Sequence, residues 1–183
     1  SSTGNYNGVF SGCTSLEEVT LNSTLDAIPG KMFLNCTSLV SIDLPDSLVF
    51  LGRQETFKNT GLISIKIPAG VKGFGNTADS CSATQTVRLF ENCAYLTTII
   101  MPASMTDFEI GGYVFTGCTA LKTIKAGENG EDNVLPGVTL VGRYAFTGCA
   151  IESLDLPDVD TVGTYAFGVK SADFNKGTYA TKL

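Results

Sequence analysis

Seven of the eleven phenylalanines in this 183-residue chain keep a common register. They are Phe10, Phe33, Phe57, Phe90, Phe115, Phe146 and Phe167, separated by 21 to 33 residues. Behind the first six a phrase recurs. It reads Phe10-x-x-Cys13-x-x-Leu16-x-x-Val19-x-Leu21, then Phe33, Cys36, Leu39, Ile42, Leu44 and a closing Pro45. Phe90, Cys93, Leu96, Ile99, Met101, Pro102 and Phe115, Cys118, Leu121, Ile124, Ala126 repeat it. Two copies run one residue short: Phe57, Thr60, Leu62, Ile65, Ile67, Pro68 and Phe146, Cys149, Ile151, Leu154, Leu156, Pro157. A second phrase, two apolar residues three apart, follows each copy at Leu25/Ile28, Leu48/Leu51, Val71/Phe74, Met105/Phe108, Val138/Val141 and Val159/Val162. Units this short cannot bury their apolar side alone, so they must stack on one another as successive windings.

Local patterning says how each winding runs. Ile42-Asp43-Leu44 alternates apolar and polar residues, the mark of a half-buried strand. Pro45, Pro68, Pro102 and Pro157 then end the pairing, because proline has no N–H for a ladder. One short strand per winding, stacked in parallel about 4.8 Å apart, is therefore expected. The second phrase falls on the return leg, which turns at glycines such as Gly52, Gly142 and Gly163. An apolar share of 43% supplies enough core to make wholesale disorder untenable. Two windings are stretched, by residues 76–86 and by residues 127–137, the second opening Gly127-Glu128-Asn129-Gly130-Glu131-Asp132-Asn133. Both inserts are expected as surface loops, a common place for a solenoid's binding rim.

The run Ala145-Phe146-Thr147-Gly148-Cys149, together with Leu39 to Pro45, resembles the BspA-type leucine-rich repeat, and the resemblance extends over roughly residues 8–167. It implies a right-handed leucine-rich repeat solenoid of about six repeats, built mostly of short parallel β-strands, one per coil, on a concave face. Short helical turns and loops would occupy the return side. The whole chain, 1–183, would form one such domain, with 168–183 as a cap or a truncated end. The family consists largely of surface or secreted proteins of host-associated bacteria. The resemblance thus implies an extracellular or cell-surface setting and non-enzymatic binding or adhesion to a protein or glycan. It offers no catalytic residues, and this chain departs from its pattern at Thr60 and in the two inserts.

Five of the six cysteines occupy the repeat position, and buried free thiols fit that column better than disulfides do. Like positions on adjacent coils point the same way at the rung spacing, whereas a disulfide needs Cβ atoms about 3.8 Å apart and turned toward each other. Cys81, in the first insert, is the thiol expected to react most readily. The chain has no histidine, which removes Ser-His-Asp and Cys-His catalysis and the usual zinc ligand sets. No cofactor is implied. A carboxylate pair could be drawn from Glu109, Glu128, Asp155 and Asp158, but scattered carboxylates on a solenoid more often form a solvated surface. The acidic insert residues Glu128, Glu131 and Asp132, with Asp158 on the next coil, lack the ligand spacing of a calcium loop. With 12 basic against 18 acidic residues and no basic cluster, nucleic acid is not an expected partner, and no apolar run is long enough to be a transmembrane helix.

A partner surface can be sought in three places. Strand alternation turns two columns outward: Glu18, Ser41, Ser64, Thr98, Thr123, Ser153, and Thr20, Asp43, Lys66, Ile100, Lys125, Asp155. The second column supplies the charged candidates Asp43, Lys66, Lys125 and Asp155. The acidic insert supplies Glu128, Glu131 and Asp132. A third column, two residues before the repeat phenylalanine, carries Tyr113, Tyr144 and Tyr165, either as interface aromatics or as cover over a thinner core. A structural spacer without a ligand of its own is the alternative to a binding module.

Overall fold

The computed structural model describes residues 8–52, 54–75 and 86–168; Cys81, all of the first insert but Thr86, and residues 169–183 lie outside that range. Each winding starts with the repeat phenylalanine, and the three-residue spacing of the first phrase has a simple cause. Cys36 N–H donates to the Phe33 carbonyl (3.1 Å) and Leu39 N–H to the Cys36 carbonyl (3.1 Å), and the same pair of turns recurs from Phe90 and Phe115. Three residues per turn bring Phe, Cys and Leu onto one side, which faces inward. Neighbouring coils are tied by the same segment: Phe33 N–H donates to the Thr56 carbonyl (2.9 Å), Phe57 N–H to Leu89 (2.9 Å) and Phe115 N–H to Ala145 (2.8 Å).

The expected parallel strands follow, though in a different distribution. In the first phrase, β3 (Ser64–Lys66), β5 (Thr98–Met101) and β7 (Thr123–Ala126) pair in parallel, in the order β3-β5-β7, and form what we call the front sheet. The matching segments 18–20 and 41–43 run alongside without strand pairing, and in the sixth coil only Asp155 makes a bridge. The second phrase, expected as a return leg of helical turns and loops, forms strands of its own. These are β1 (Ala27–Ile28), β2 (Phe50–Leu51), β4 (Gly73–Phe74), β6 (Phe108–Ile110), β8 (Val138–Val141) and β9 (Thr161–Val162), paired β1-β2 and β4-β6-β8-β9, all parallel. No helix occurs among the described residues. The prolines set up this second ladder: Pro45 and Pro68 accept, three residues on, from the Leu48 and Val71 N–H groups, at 3.0 and 3.1 Å. Proline thus ends one strand and opens the turn into the next.

The core lies between the phenylalanine turns and the two ladders. Rings stack from coil to coil without a gap, Phe10 on Phe33 (5.7 Å), Phe33 on Phe57 (5.4 Å), Phe57 on Phe90 (5.4 Å), Phe90 on Phe115 (5.7 Å), Phe115 on Phe146 (5.2 Å) and Phe146 on Phe167 (5.5 Å). Phe74 meets Phe90, Phe108 and Phe115 edge-on, knitting the second ladder to the first phrase. Beside the rings runs the thiol column. Cys36 donates to the Phe10 carbonyl of the preceding coil (3.1 Å), Cys93 to Phe57 (2.9 Å), Cys118 to Phe90 (3.1 Å) and Cys149 to Phe115 (3.2 Å). The five repeat cysteines are free. Of the column expected to be buried, Cys13 is instead exposed on the first described coil and Cys149 is only partly buried. Thr60, where the chain departs from the repeat pattern, fills the cysteine's place in this column: its hydroxyl donates to the Phe57 carbonyl (2.9 Å) and sits 3.2 Å from the Cys93 sulfur.

Candidate partner-binding face

The front sheet places Lys66, Ile100 and Lys125 in one row, because Lys66 pairs with Ile100 and Ile100 with Lys125 across the strands. Asp43 lies on the coil before, and with Asp46 it lines a groove of about 390 Å³ that also takes in Ser41, Ser64, Lys66 and Ile100. Just upstream of the strands the coils expose apolar side chains: Val40 (47% accessible), Ile63 (51%) and, on the next coil, Tyr95 (69%). The two outward columns read from the sequence carry a single apolar side chain, Ile100. The signal for the rest was available, since Val40 and Ile63 precede Ser41 and Ser64 at matching positions, one step outside the inward-facing residues.

Asp155 does not extend the row. Asn133, from the second insert, comes between. Its N–H donates to the Ile124 carbonyl (2.7 Å), and its carboxamide accepts from Ile124 N–H (2.9 Å) and donates to the Lys122 carbonyl (3.0 Å). On the other side the Asn133 carbonyl accepts from Asp155 N–H (2.7 Å), and Val134 bridges Asp155 in parallel. Instead of a plain surface loop, part of the insert 127–137 is an added rung of the front sheet. Asn133 holds a positive φ of 60°, a region that asparagine enters more readily than most residues.

The insert's acids do not converge. Glu128 bonds Lys66, two coils back, and Asp132 bonds Lys125 (2.9 Å). The bond to Lys66 holds the Glu128 carboxyl below its ordinary range, and the same bond holds the Lys66 ammonium above its own. Asp158 accepts from the Gly137 N–H (2.7 Å), and Glu109 sits in β6, outside the front sheet. The carboxylates therefore go to separate tasks, and among the described residues no three acidic or thiol groups gather as metal ligands.

The tyrosine column is part of a longer ridge. Two residues before each repeat phenylalanine the backbone is left-handed in all seven coils: Gly8 (φ 82°), Lys31 (61°), Glu55 (52°), Arg88 (57°), Tyr113 (62°), Tyr144 (57°) and Tyr165 (58°). This conformation costs roughly 1–2 kcal/mol for a residue other than glycine, and it throws the side chain outward at the corner. In the first half of the ridge the corner is ionic. Lys31 meets Glu55 (3.7 Å), Lys58 meets Glu55 (3.3 Å) and Glu91 (2.7 Å), and Arg88 grips Glu91 through both oxygens (3.1 Å each). Burial works against the Lys58 ammonium, but its bonds to Glu91 and Glu55 outweigh burial and hold its pKa up. In the second half the corner is aromatic: Tyr113 stacks on Tyr144 (4.9 Å) and Tyr144 on Tyr165 (5.2 Å), all half-buried. Arg88 and Arg143 lie over the Tyr113 ring at 4.9 and 5.4 Å, so cation–π contacts join the two halves. Ring faces are largely spent on each other, leaving edges and hydroxyls outward.

Comparison with known proteins agrees with this geometry. The profile described as BspA type leucine rich repeat region, six copies of it, matches residues 4–89 and 84–178. The chain belongs to the BspA-type leucine-rich repeat family. Among solved structures, this BspA-type chain is similar to a leucine-rich repeat protein from Bacteroides ovatus ATCC 8483, with a TM-score of 0.50 and 20% identity over 85% of this chain and 47% of that one. At that identity the likeness speaks for the fold, and the chain spans about half the length of that protein. No curated protein matches the sequence.

Proposed function

We propose that this BspA-type domain is a non-enzymatic binding module, displayed on a cell surface or secreted, and that its front face over the second to fourth coils takes a protein or glycan partner in adhesion. The observation that carries this reading is the pairing of the groove at Asp43, Asp46, Lys66 and Ile100 with the exposed apolar residues Val40, Ile63 and Tyr95 on the same coils. Apolar anchors beside a polar rim are what a protein interface requires. Membership of a repeat family used for interaction supports it further, as does a rigid stacked core that holds the face in one shape.

The test is saturable binding to a panel of extracellular glycoproteins, each intact and deglycosylated, measured by biolayer interferometry. Binding that survives deglycosylation and is lost in the Ile63→Asp variant is expected for a protein-recognising face; loss on deglycosylation would point to the glycan. No saturable binding, or binding indifferent to Ile63→Asp and Tyr95→Ser, would overturn the assignment. The unbroken ring stack from Phe10 to Phe167 favours a second reading, a stiff spacer. A spacer would bind none of the panel.

A further inference from the structure

The second insert does something that neither the repeat nor the core requires. Its chain leaves β7, packs Gly127 against Ala103 with the Gly127 N–H on the Met101 carbonyl (2.9 Å), and so runs back toward the earlier coils. There Glu128 reaches Lys66, and on the way home Asp132 reaches Lys125. The two lysines are the cations of one transverse row, with Ile100 between them. The insert therefore covers both charges of the row with two carboxylates, and Lys66 and Ile100 also line the groove.

The hold is uneven along the insert. At its base Asn133 is fixed by three hydrogen bonds to Lys122 and Ile124 and a fourth from Asp155. Asp132 belongs with that base, forming an antiparallel bridge to Lys125, whose side chain is 31% accessible. At the tip the grip is the ion pair of Lys66 and Glu128, whose side chains are 63% and 62% accessible. Pairs of this kind contribute little and are screened by salt. A firm base with a loosely held acidic tip has the build of an internal competitor.

We propose that the row Lys66–Ile100–Lys125 is a docking strip for an extended acidic segment of a partner protein, and that residues 127–132 occupy this strip in the free chain as a built-in mimic. The assignment rests on the binding-module reading above and names the chemistry of its ligand. The intramolecular occupant supplies the argument for charge complementarity. Lys66 and Lys125 stand two strand spacings apart, about 10 Å. Acidic residues four apart in an extended peptide, the spacing of Glu128 and Asp132, face the same way and span about 13 Å, a gap the long lysine side chains can close, with the side chain midway between them set over Ile100. Because the mimic is tethered, its carboxylates act at high local concentration, and an external segment must displace them.

The test uses the intact chain and a capped twelve-residue peptide with Glu-Gly-Leu-Gly-Asp at its centre, alongside a counterpart in which Gln and Asn replace the acids. Binding is read by fluorescence anisotropy in low salt. The variant Glu128→Gln/Asp132→Asn, which frees the lysines, should bind the acidic peptide at least about ten-fold more tightly than the unmodified chain. Lys66→Gln/Lys125→Gln should abolish binding, the neutral peptide should bind neither form, and roughly 0.5 M salt should weaken the complex. All four residues are at least partly exposed, so circular dichroism should show each variant folded. Equal affinity for released and unmodified chains would overturn the proposal, as would binding that survives loss of both lysines or no binding by the released form. If the glycoprotein panel still shows Ile63-dependent binding while the peptide fails, the strip is wrong and the module reading stands.

Discussion

Replacing Phe115 by alanine tests the stacked core most directly. The ring is fully buried, lies between Phe90 at 5.7 Å and Phe146 at 5.2 Å, and takes the edge of Phe74 at 5.9 Å. Burial of such a ring contributes about 1.5–3 kcal/mol. Loss of the ring also leaves a void, and the walls cannot close over it. Phe115 N–H is tied to Ala145 and Phe90 N–H to Val114, both at 2.8 Å, so coil spacing is held by ladder bonds on either side. The total should therefore reach the upper part of the usual range, about 4–5 kcal/mol. Phe10, by contrast, is half-exposed and stacks on Phe33 at 5.7 Å from the outermost described coil; Phe10→Ala should cost about 1–2 kcal/mol. Equilibrium urea melts by circular dichroism, with midpoint and slope fitted separately, give both numbers. The slope matters because an interior break can let the two halves of a repeat array unfold apart. Costs within about 0.5 kcal/mol of each other, or a Phe115→Ala cost below about 2 kcal/mol, would refute a load shared along the ring stack.

Three further outcomes follow from particular contacts. Asn133→Ala loses two side-chain hydrogen bonds and places a Cβ residue with a positive φ; it should cost about 2–4 kcal/mol and speed hydrogen exchange at the Ile124 and Asp155 amides, while Asn133→Gly recovers only the backbone share. Burial pushes the Cys149 thiol up to about 12 from an ordinary 9.0, and the Cys118 thiol is raised by its bond to the Cys93 sulfur and by burial. Iodoacetamide at pH 8 should therefore modify exposed Cys13 alone among the repeat cysteines until the fold opens. The unfolded chain releases the Cys149 proton that the fold retains, so the stability this thiol contributes should be level below pH 9.0 and fall between 9.0 and about 12; a Cys149→Ala variant whose urea midpoints fall as steeply over that range would count against it. Gly137 has φ +80°, and an added Cβ would stand 2.0 Å from the Met105 carbonyl oxygen. Gly137→Ala should lower the melting temperature by roughly 6–12 °C, from a cost of about 3 kcal/mol.

The rows of the core were legible because their cause is local. In four of the six copies Phe, Cys and Leu recur every three residues because each closes a turn on the one before; the copies at Phe57 and Phe146 keep the first turn and run one residue short after it. The second ladder was not legible. Leu48 and Leu51 stand three apart because a proline-led turn lies between them, and strands of two residues such as Phe50–Leu51 leave no alternation to read. Asn133 was hidden for a different reason: an asparagine in an acidic loop looks like any other until its carboxamide finds Lys122 and Ile124. Of the front-face candidates, Lys66 and Lys125 share a row with Ile100 between them and Asp43 lies one coil before Lys66, but Asp155 is set apart by a rung that has no counterpart in the other copies. At the ridge, Tyr113, Tyr144 and Tyr165 could be read as a column. Its continuation through Arg88, Glu55 and Lys31 could not, since those side chains share a backbone conformation and no chemistry.

That corner has an evolutionary corollary. The left-handed turn is imposed by the hydrogen bonds of the coils on either side, and it persists whether the residue is glycine, lysine, glutamate, arginine or tyrosine. Its conformational penalty is thus already incurred at every non-glycine site, and exchanging one such side chain for another should leave the coil's backbone path unchanged, at the cost only of the ion pair or ring contact that the side chain makes. The row behaves like movable type: a fixed pitch set by the frame, with characters that can be swapped one at a time.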